Sequence, residues 1–318
     1  ALANALLDRI EVIGSSIDGL YERIMSYQVA TIRSYNRSDV EKLLDEVALL
    51  LAGQNLTAAE RQKLDEAKAH AETLLARLAE VAQTLTDAIR ISEQYAVESV
   101  KTSDYETLLA VYTKTVALLR SDNLTESERT ALVVAYNKLN DLLSQIDSIE
   151  GSLEALEALI GRYTLRTVTS ADEEDITLGG LLTAALLDSD NLTEQERILV
   201  EGYAKKIDEL LARIHMVAEE IDRVRGAYAE LETGKLTGDD RTTVTDLIRA
   251  IDVLLDSQNL TDAEREELVL IRAKLNAMLE ALEAKELIGN TYTDVSGHWA
   301  YDEIVEAIYR GLFNGVSE

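Results

Sequence analysis

Four Asn-Leu-Thr triplets, at Asn55, Asn123, Asn191 and Asn259, each satisfy the acceptor rule for an N-linked glycan. The stretch "DSDNLTEQE" at 188–196 is also rich in oxygen ligands, as a cation loop would be. It lacks the glycine and the ligand spacing of an EF-hand, and the equivalent stretch around Asn55, "AGQNLTAAE", carries almost no acid. Other reactive chemistry is sparse. With no cysteine there is neither a thiolate nucleophile nor a thiolate metal site. The three histidines, His70, His215 and His298, are far apart and none has a metal-type partner four residues on, so places on helix surfaces or seam edges are expected for them. No glycine-rich phosphate loop is present. The chain holds 59 acidic residues, so a glycosidase-type carboxylate pair cannot be singled out. The expectation is a protein without catalytic residues, metal or cofactor.

The asparagines keep a fixed interval. The differences 123−55, 191−123 and 259−191 are each 68 residues, which marks an internal repeat. Thr57, Thr125, Thr193 and Thr261 are each followed three residues later by Glu60, Glu128, Glu196 and Glu264. That is a capping box, in which the threonine hydroxyl accepts from the N–H of the glutamate and the glutamate reaches back to the threonine N–H. The box explains the Thr and the Glu together, and a glycan signal needs no Glu. The Asn two places earlier is expected to end the preceding helix in the left-handed conformation that asparagine tolerates. "T-x-x-E-R" then opens the next helix.

The elements that carry these turns follow from apolar spacing. Leu132, Ala135, Leu139, Leu142, Leu143 and Ile146 form a narrow seam after the second phrase, and Leu268, Ile271, Leu275, Met278, Leu279 and Leu282 repeat its steps. Leu74, Leu75 and Leu78 hold the same phase, as do Leu210, Leu211 and Ile214, with Leu6, Leu7 and Ile10 one period earlier. We label the segment after each phrase B. A segment before it, such as 38–53, is A, with Ser38 as its expected cap. A lies antiparallel to B across a short turn. A third segment, C, follows B. From Thr193 to Glu232 no stop signal interrupts the B–C run. One continuous helix is expected, with a tight turn between B and C as the competitor; Gly14 and Gly151 fall near such junctions and allow a bend. If B–C is continuous, C of one repeat packs beside A and B of the next. That arrangement resembles spectrin repeats in architecture, with a shorter period. The last B segment ends near "KELIGN", where Gly289 is the expected C-cap.

Composition agrees with long helices. The chain of 318 residues has no proline, 47% hydrophobic residues and only 5% aromatic ones. Its net charge of −28 repels nucleic acid and anionic membranes. No apolar run approaches the roughly 18 residues of a membrane span. The chain opens "ALANALLDRI" without Met or a visible signal peptide, so a preceding segment is expected.

Residues 291–318 depart from the repeat and hold the only Trp and the only Phe. "YTDVSGHWA", a short amphipathic helix and "GLFNG" resemble the opening half of an S-layer homology (SLH) domain. The match rests on Tyr292, Asp294, Val295, His298, Trp299, Ala300, Ile304, Gly311 and Gly315. The resemblance implies a bacterial envelope protein at the cell wall or S-layer. SLH domains commonly occur in threes and hold proteins on secondary cell-wall polysaccharide. Their second half carries a Thr-Arg-Ala-Glu type motif, which lies beyond Glu318 here. Asp294 and Trp299 match positions that shape the fold and its glycan groove; a small-domain core place is the other reading of Trp299.

The expected architecture is all-α, with tandem three-helix bundles in an elongated, spectrin-like array that share long helices. Its parts are repeats at 1–81, 82–149, 150–217 and 218–289, then the SLH half at 290–318. The expected function is that of a monomeric extracellular stalk. The alternatives are an adhesin-like module that binds a host protein or glycan, and the accessory stalk of a surface hydrolase.

Overall fold

A computed structural model describes residues 2–312. The side chains of Leu6 and Ile10, and Gly315 with the rest of 313–318, lie outside the described part. The protein is all-α, and no strand occurs among the described residues. Among the described residues ten α-helices follow in order: α1 (Leu2–Ser26), α2 (Arg37–Leu51), α3 (Ala58–Gln94), α4 (Tyr105–Leu119), α5 (Glu126–Arg162), α6 (Glu173–Asp188), α7 (Glu194–Thr233), α8 (Arg241–Asp256), α9 (Asp262–Thr291) and α10 (Tyr301–Tyr309).

The B–C run is one helix each time. The helices α3 and α5 have 37 residues and α7 has 40, or about 55–60 Å at about 1.5 Å per residue. Gly14 and Gly151 sit inside helices without a break. No helix-breaking proline exists to interrupt the ladder.

Two compact units are distinguished, 1–151 with 189–194, and 152–188 with 195–318. In the first, the C-terminal half of α1 (Ile17, Leu20, Ile24), α2 (Val40, Leu43, Val47) and the first half of α3 (Leu64 to Leu78) share one core. The second half of α3, α4 and the first half of α5 pack in two clusters, one with Val81, Ala88, Leu118 and Leu132, the other with Ile91, Leu108 and Leu139 to Ile146. In the second unit Ile160 of α5, Ile176 of α6 and Ile207 to Ile214 of α7 pack together. There, too, Val217 to Tyr228 of α7 join α8 and Leu268 to Leu282 of α9. Each core therefore draws on a C, an A and a B segment in chain order. All six residues of the 132–146 seam are buried, so the apolar face lies where hydrophobic transfer favours it. Leu7 is 63% exposed, although Leu75 and Leu143 of the same phase are covered.

Two sequence expectations are corrected here. The A helices do not start at a Ser38-type cap. Each opens with a 3-10 turn, at 34–36, 102–104, 170–172 and 238–240. The side chain of Asn36, Asp104, Asp172 or Asp240 accepts from the backbone N–H of Arg33, Lys101, Thr169 or Thr237 at 2.7–3.1 Å. Gly289 is not a C-cap, because α9 continues to Thr291. It is buried, and a Cβ there would lie 1.9 Å from the Tyr301 hydroxyl, so its lack of a side chain lets α10 come close.

The segment 290–312 contains α10, whose Val305 is buried. Gly311, one of the SLH-type residues, has φ +70. Its N–H reaches the Ile308 carbonyl at 2.9 Å and that of Leu312 reaches Ala307 at 2.9 Å. This is a Schellman stop, which needs the left-handed backbone that glycine adopts without strain.

A Cβ at Gly151 would meet no atom within 4 Å. Gly151→Ala is therefore expected to raise stability by about 0.5–1 kcal/mol in urea melts, as for a glycine inside a continuous helix. A tight turn at that point would make the substitution destabilising.

Candidate functional site: a repeated turn and loop clamp

The four Asn-Leu-Thr phrases fall in the turns between α2 and α3, α4 and α5, α6 and α7, and α8 and α9. The threonine starts the second helix of each pair. Thr57 Oγ1 accepts from the Glu60 N–H at 3.2 Å, and Glu60 Oε2 accepts from the Thr57 N–H at 2.7 Å. Thr125 with Glu128, and Thr261 with Glu264, repeat this geometry at 2.8–3.3 Å. Thr193 and Glu196 occupy the matching positions at the start of α7.

The arginine after each glutamate ties the first helix of the pair to the second. Arg129 Nη1 and Nη2 donate to the carbonyls of Leu119 at 2.5 Å and Ser121 at 2.8 Å. Arg265 does the same to Leu255 at 2.6 Å and Ser257 at 2.8 Å, and Arg197 reaches Leu187 at 2.7 Å. Helix C-termini leave carbonyls without intrahelical partners, and a guanidinium suits both their geometry and their negative dipole end. Arg61 makes longer versions, 3.4 Å to both Leu51 and Gly53. The recurrence of this Arg after every Glu was readable in the sequence as the last letter of "T-x-x-E-R".

The asparagine has a different role from the one expected. No described non-glycine residue has positive φ, so the left-handed reading fails. Asn123, Asn191 and Asn259 are instead buried, at 1%, 4% and 3% exposure. Asn123 Nδ2 donates to the carbonyls of Val29 at 2.8 Å and Ile32 at 3.0 Å. Asn191 Nδ2 reaches Val97 at 2.8 Å and Val100 at 2.9 Å, and Asn259 Nδ2 reaches Leu165 at 3.0 Å and Val168 at 2.8 Å. The amide oxygen accepts from the preceding long helix. Arg77 Nε and Nη2 approach Asn123 Oδ1 at 3.1 and 2.8 Å, and Arg213 approaches Asn259 at 3.1 and 2.7 Å. Gln145 stands at the same position against Asn191, at 3.5 Å.

The carbonyls gripped by the asparagines belong to the loops that join a C segment to the next A helix. Each such loop is a tight turn. Thr31 and Ile32 both donate to the Gln28 carbonyl, Ser99 and Val100 to Ala96, and Thr167 and Val168 to Thr164, at 2.9–3.1 Å. A basic side chain returns the contact, as Arg33 Nε reaches the Asp122 carbonyl at 3.2 Å and Lys101 Nζ reaches Asp190 and Leu192 at 3.1 and 2.7 Å. A hydroxyl completes it, with Ser170 Oγ donating to Glu264 Oε1 at 2.8 Å.

The site is thus a mechanical clamp. Both amide hydrogens of three sequon asparagines are engaged in buried bonds, which leaves their nitrogens inaccessible to a glycosyl donor in the folded chain. Burial pushes the carboxyls of Glu128 and Glu264 up, but hydrogen bonds from the Thr backbone and hydroxyl and from Ser34 or Ser170 outweigh it and hold both below the usual value of 4.5.

Among the histidines, His70 Nε2 meets the Tyr27 carbonyl at 2.9 Å, His215 Nε2 meets Glu173 Oε1 at 2.9 Å, and His298 Nδ1 accepts from the Ala300 N–H at 3.1 Å. Among the described residues no group of three or more His, Asp or Glu is placed to hold a metal ion. Asp294 is exposed and Trp299 is 91% exposed beside His298, so Trp299 is not a core residue.

Asn123→Ala removes the partner of one buried and one half-buried carbonyl and of part of Arg77, and is expected to cost about 1–3 kcal/mol in urea melts. Thr125→Ala removes one half-buried cap and should cost about 0.5–2 kcal/mol. If the cap change proved the larger, the clamp would not hold the turn. A carboxyl with a depressed folded value stabilises fully above the ordinary 4.5 and less as pH falls through the depressed value. Thermal melts from about pH 6 to about pH 3 should therefore show a smaller acid loss in Glu128→Gln/Glu264→Gln than in the parent.

Against models of known protein families, curated proteins and solved structures, the chain finds no match in any of the three comparisons.

Proposed function

We propose that the chain is a structural spacer of a bacterial cell-surface protein, an extracellular stalk of tandem three-helix units. The observation that carries this reading is the clamp. Three buried asparagines tie three of the four hairpin turns to the loop before the preceding A helix, through equivalent carbonyls at 2.8–3.0 Å. Such polar locks make neighbouring units resist sliding, which is what a spacer of defined length requires.

The second support is chemical. Most of the polar side chains that recur from repeat to repeat are taken up in caps and clamps. The strong acidity of the helix faces keeps such a surface soluble and unattractive to nucleic acid.

The SLH resemblance of 291–318 supplies the place. With complete SLH domains the protein would attach to secondary cell-wall polysaccharide, and Asp294 with the exposed aromatic face of Trp299 would contribute to glycan contact.

Small-angle scattering tests the spacer. A monomeric rod should give a radius of gyration well above the about 20 Å expected of a compact chain of this length. A value near 20 Å would overturn the reading, and co-sedimentation of the chain with purified wall polysaccharide, weakened by Trp299→Ala, would test the anchor.

A further inference from the structure

The fourth hairpin turn of the set, between α2 and α3, has the same parts as the clamped three. Its capping box is closed, with Glu60 held at 2.7 Å by the Thr57 N–H, and Arg61 spans the end of α2. Yet Asn55 is exposed, and Leu56 is only partly covered where Leu124, Leu192 and Leu260 are buried. Leu7, in phase with the covered Leu75 and Leu143, is 63% exposed. The arginine bonds that measure 2.5–2.8 Å in the clamped turns are 3.4 Å here. These differences fall on the turn itself and on Leu7, whose counterpart Leu75 shares one core with Val29 and Ile32 of a gripped loop.

We propose that the turn at 53–57, with Leu7, is a docking surface for one further helical unit of this same kind, joined in register to α1. Its chemistry is specified by the three clamps. The unit presents a loop with two carbonyls three residues apart, a buried Val or Ile at the second, then a basic residue or Thr and a Ser or Thr, as in Ile32-Arg33-Ser34 and Val100-Lys101-Thr102. The gripped carbonyls lie 94 and 91 residues before the asparagine on the same chain in every clamp, so continuity with that interface selects a covalently linked unit over a separate molecule.

The loop at 231–240 does not offer this chemistry to Asn55 of another copy. There α7 runs on to Thr233, the tight turn is replaced by Gly234 N–H donating to the Glu230 carbonyl, and Gly238 has no hydroxyl. Lys235 is paired with Glu303 of α10 at 3.2 Å. The 53–57 turn therefore keeps the receiving chemistry, and the 231–240 loop lacks the presenting chemistry. The inference rests on the clamp geometry and does not depend on the stalk reading.

The test compares the 1–318 chain with one in which a copy of residues 1–68 precedes residue 1, which places Val29 and Ile32 of the copy 94 and 91 residues before Asn55. In the 1–318 chain, Asn55→Ala should leave the melting temperature within about 1 °C of the parent, whereas Asn123→Ala lowers it by about 2–6 °C. In the extended chain Asn55→Ala should lower it as much as Asn123→Ala does. The Asn55 side-chain amide hydrogens should also exchange at least ~10-fold more slowly there than in the 1–318 chain. Equal exchange in the two chains, or a neutral Asn55→Ala in the extended chain, would overturn the proposal. So would concentration-dependent self-association of the 1–318 chain abolished by Asn55→Ala, which would assign the surface to a second copy.

Discussion

A buried carboxamide must find partners for two N–H groups and one oxygen, and leaving any of them unmade costs about 1–3 kcal/mol. Asn123 meets that demand with three separate segments, the 29–32 loop, the α4–α5 turn on which it sits, and Arg77 of α3. One side chain thereby sets the relative position of a loop, a hairpin and a long helix. The leucine seams supply most of the favourable free energy, but hydrophobic burial is non-directional. A leucine stripe shifted by a helical turn still buries leucine. The amide does not tolerate that shift, since its carbonyl partners occupy fixed points. The seam holds the helices together, and the clamp selects their register.

The chain's few cations are distributed in a way that follows from this division. With 31 basic residues against 59 acidic ones, each guanidinium is scarce. Arg129, Arg197 and Arg265 lie on helix-end carbonyls, and Arg77 and Arg213 on buried amide oxygens. Ion pairs elsewhere, such as Arg249 with Asp246 or Lys205 with Glu209, are exposed and contribute little. A subset of the cations thus serves the turns, on helix-end carbonyls and buried amide oxygens, while many others pair with acids on the outer faces.

The way α10 meets α9 follows the same logic of close approach. Gly289 removes a Cβ where the Tyr301 hydroxyl arrives, and Lys285 pairs with Glu306 beside it. Hydrogen bonds from Lys285 and Arg310 hold the Glu306 carboxyl below its ordinary value. The loop at 231–240, altered from the repeat pattern at Thr233 and Gly238, makes its ion pair with this added segment.

The period, the Thr–Glu caps, the seam from Leu132 to Ile146 and the unbroken B–C helices were legible in the sequence because each is local. A cap spans three residues and a seam follows helical spacing, so residue type and interval suffice. Asn123 was misread as a local helix stop because its real partners are distant backbone carbonyls, and Gly289 as a cap because the Tyr301 it makes room for belongs to the next helix. The Ser38 cap failed locally, since Asn36 two places earlier closes the turn on the Arg33 N–H. The Val29 and Ile32 carbonyls lie 94 and 91 residues from the amide that grips them, and a carbonyl has no letter in the sequence. The amino-acid order by itself determined that the chain is helical, repeated and capped. Only the tertiary structure decided what the asparagine holds, since that depends on which backbone groups the packed helices bring within hydrogen-bonding reach.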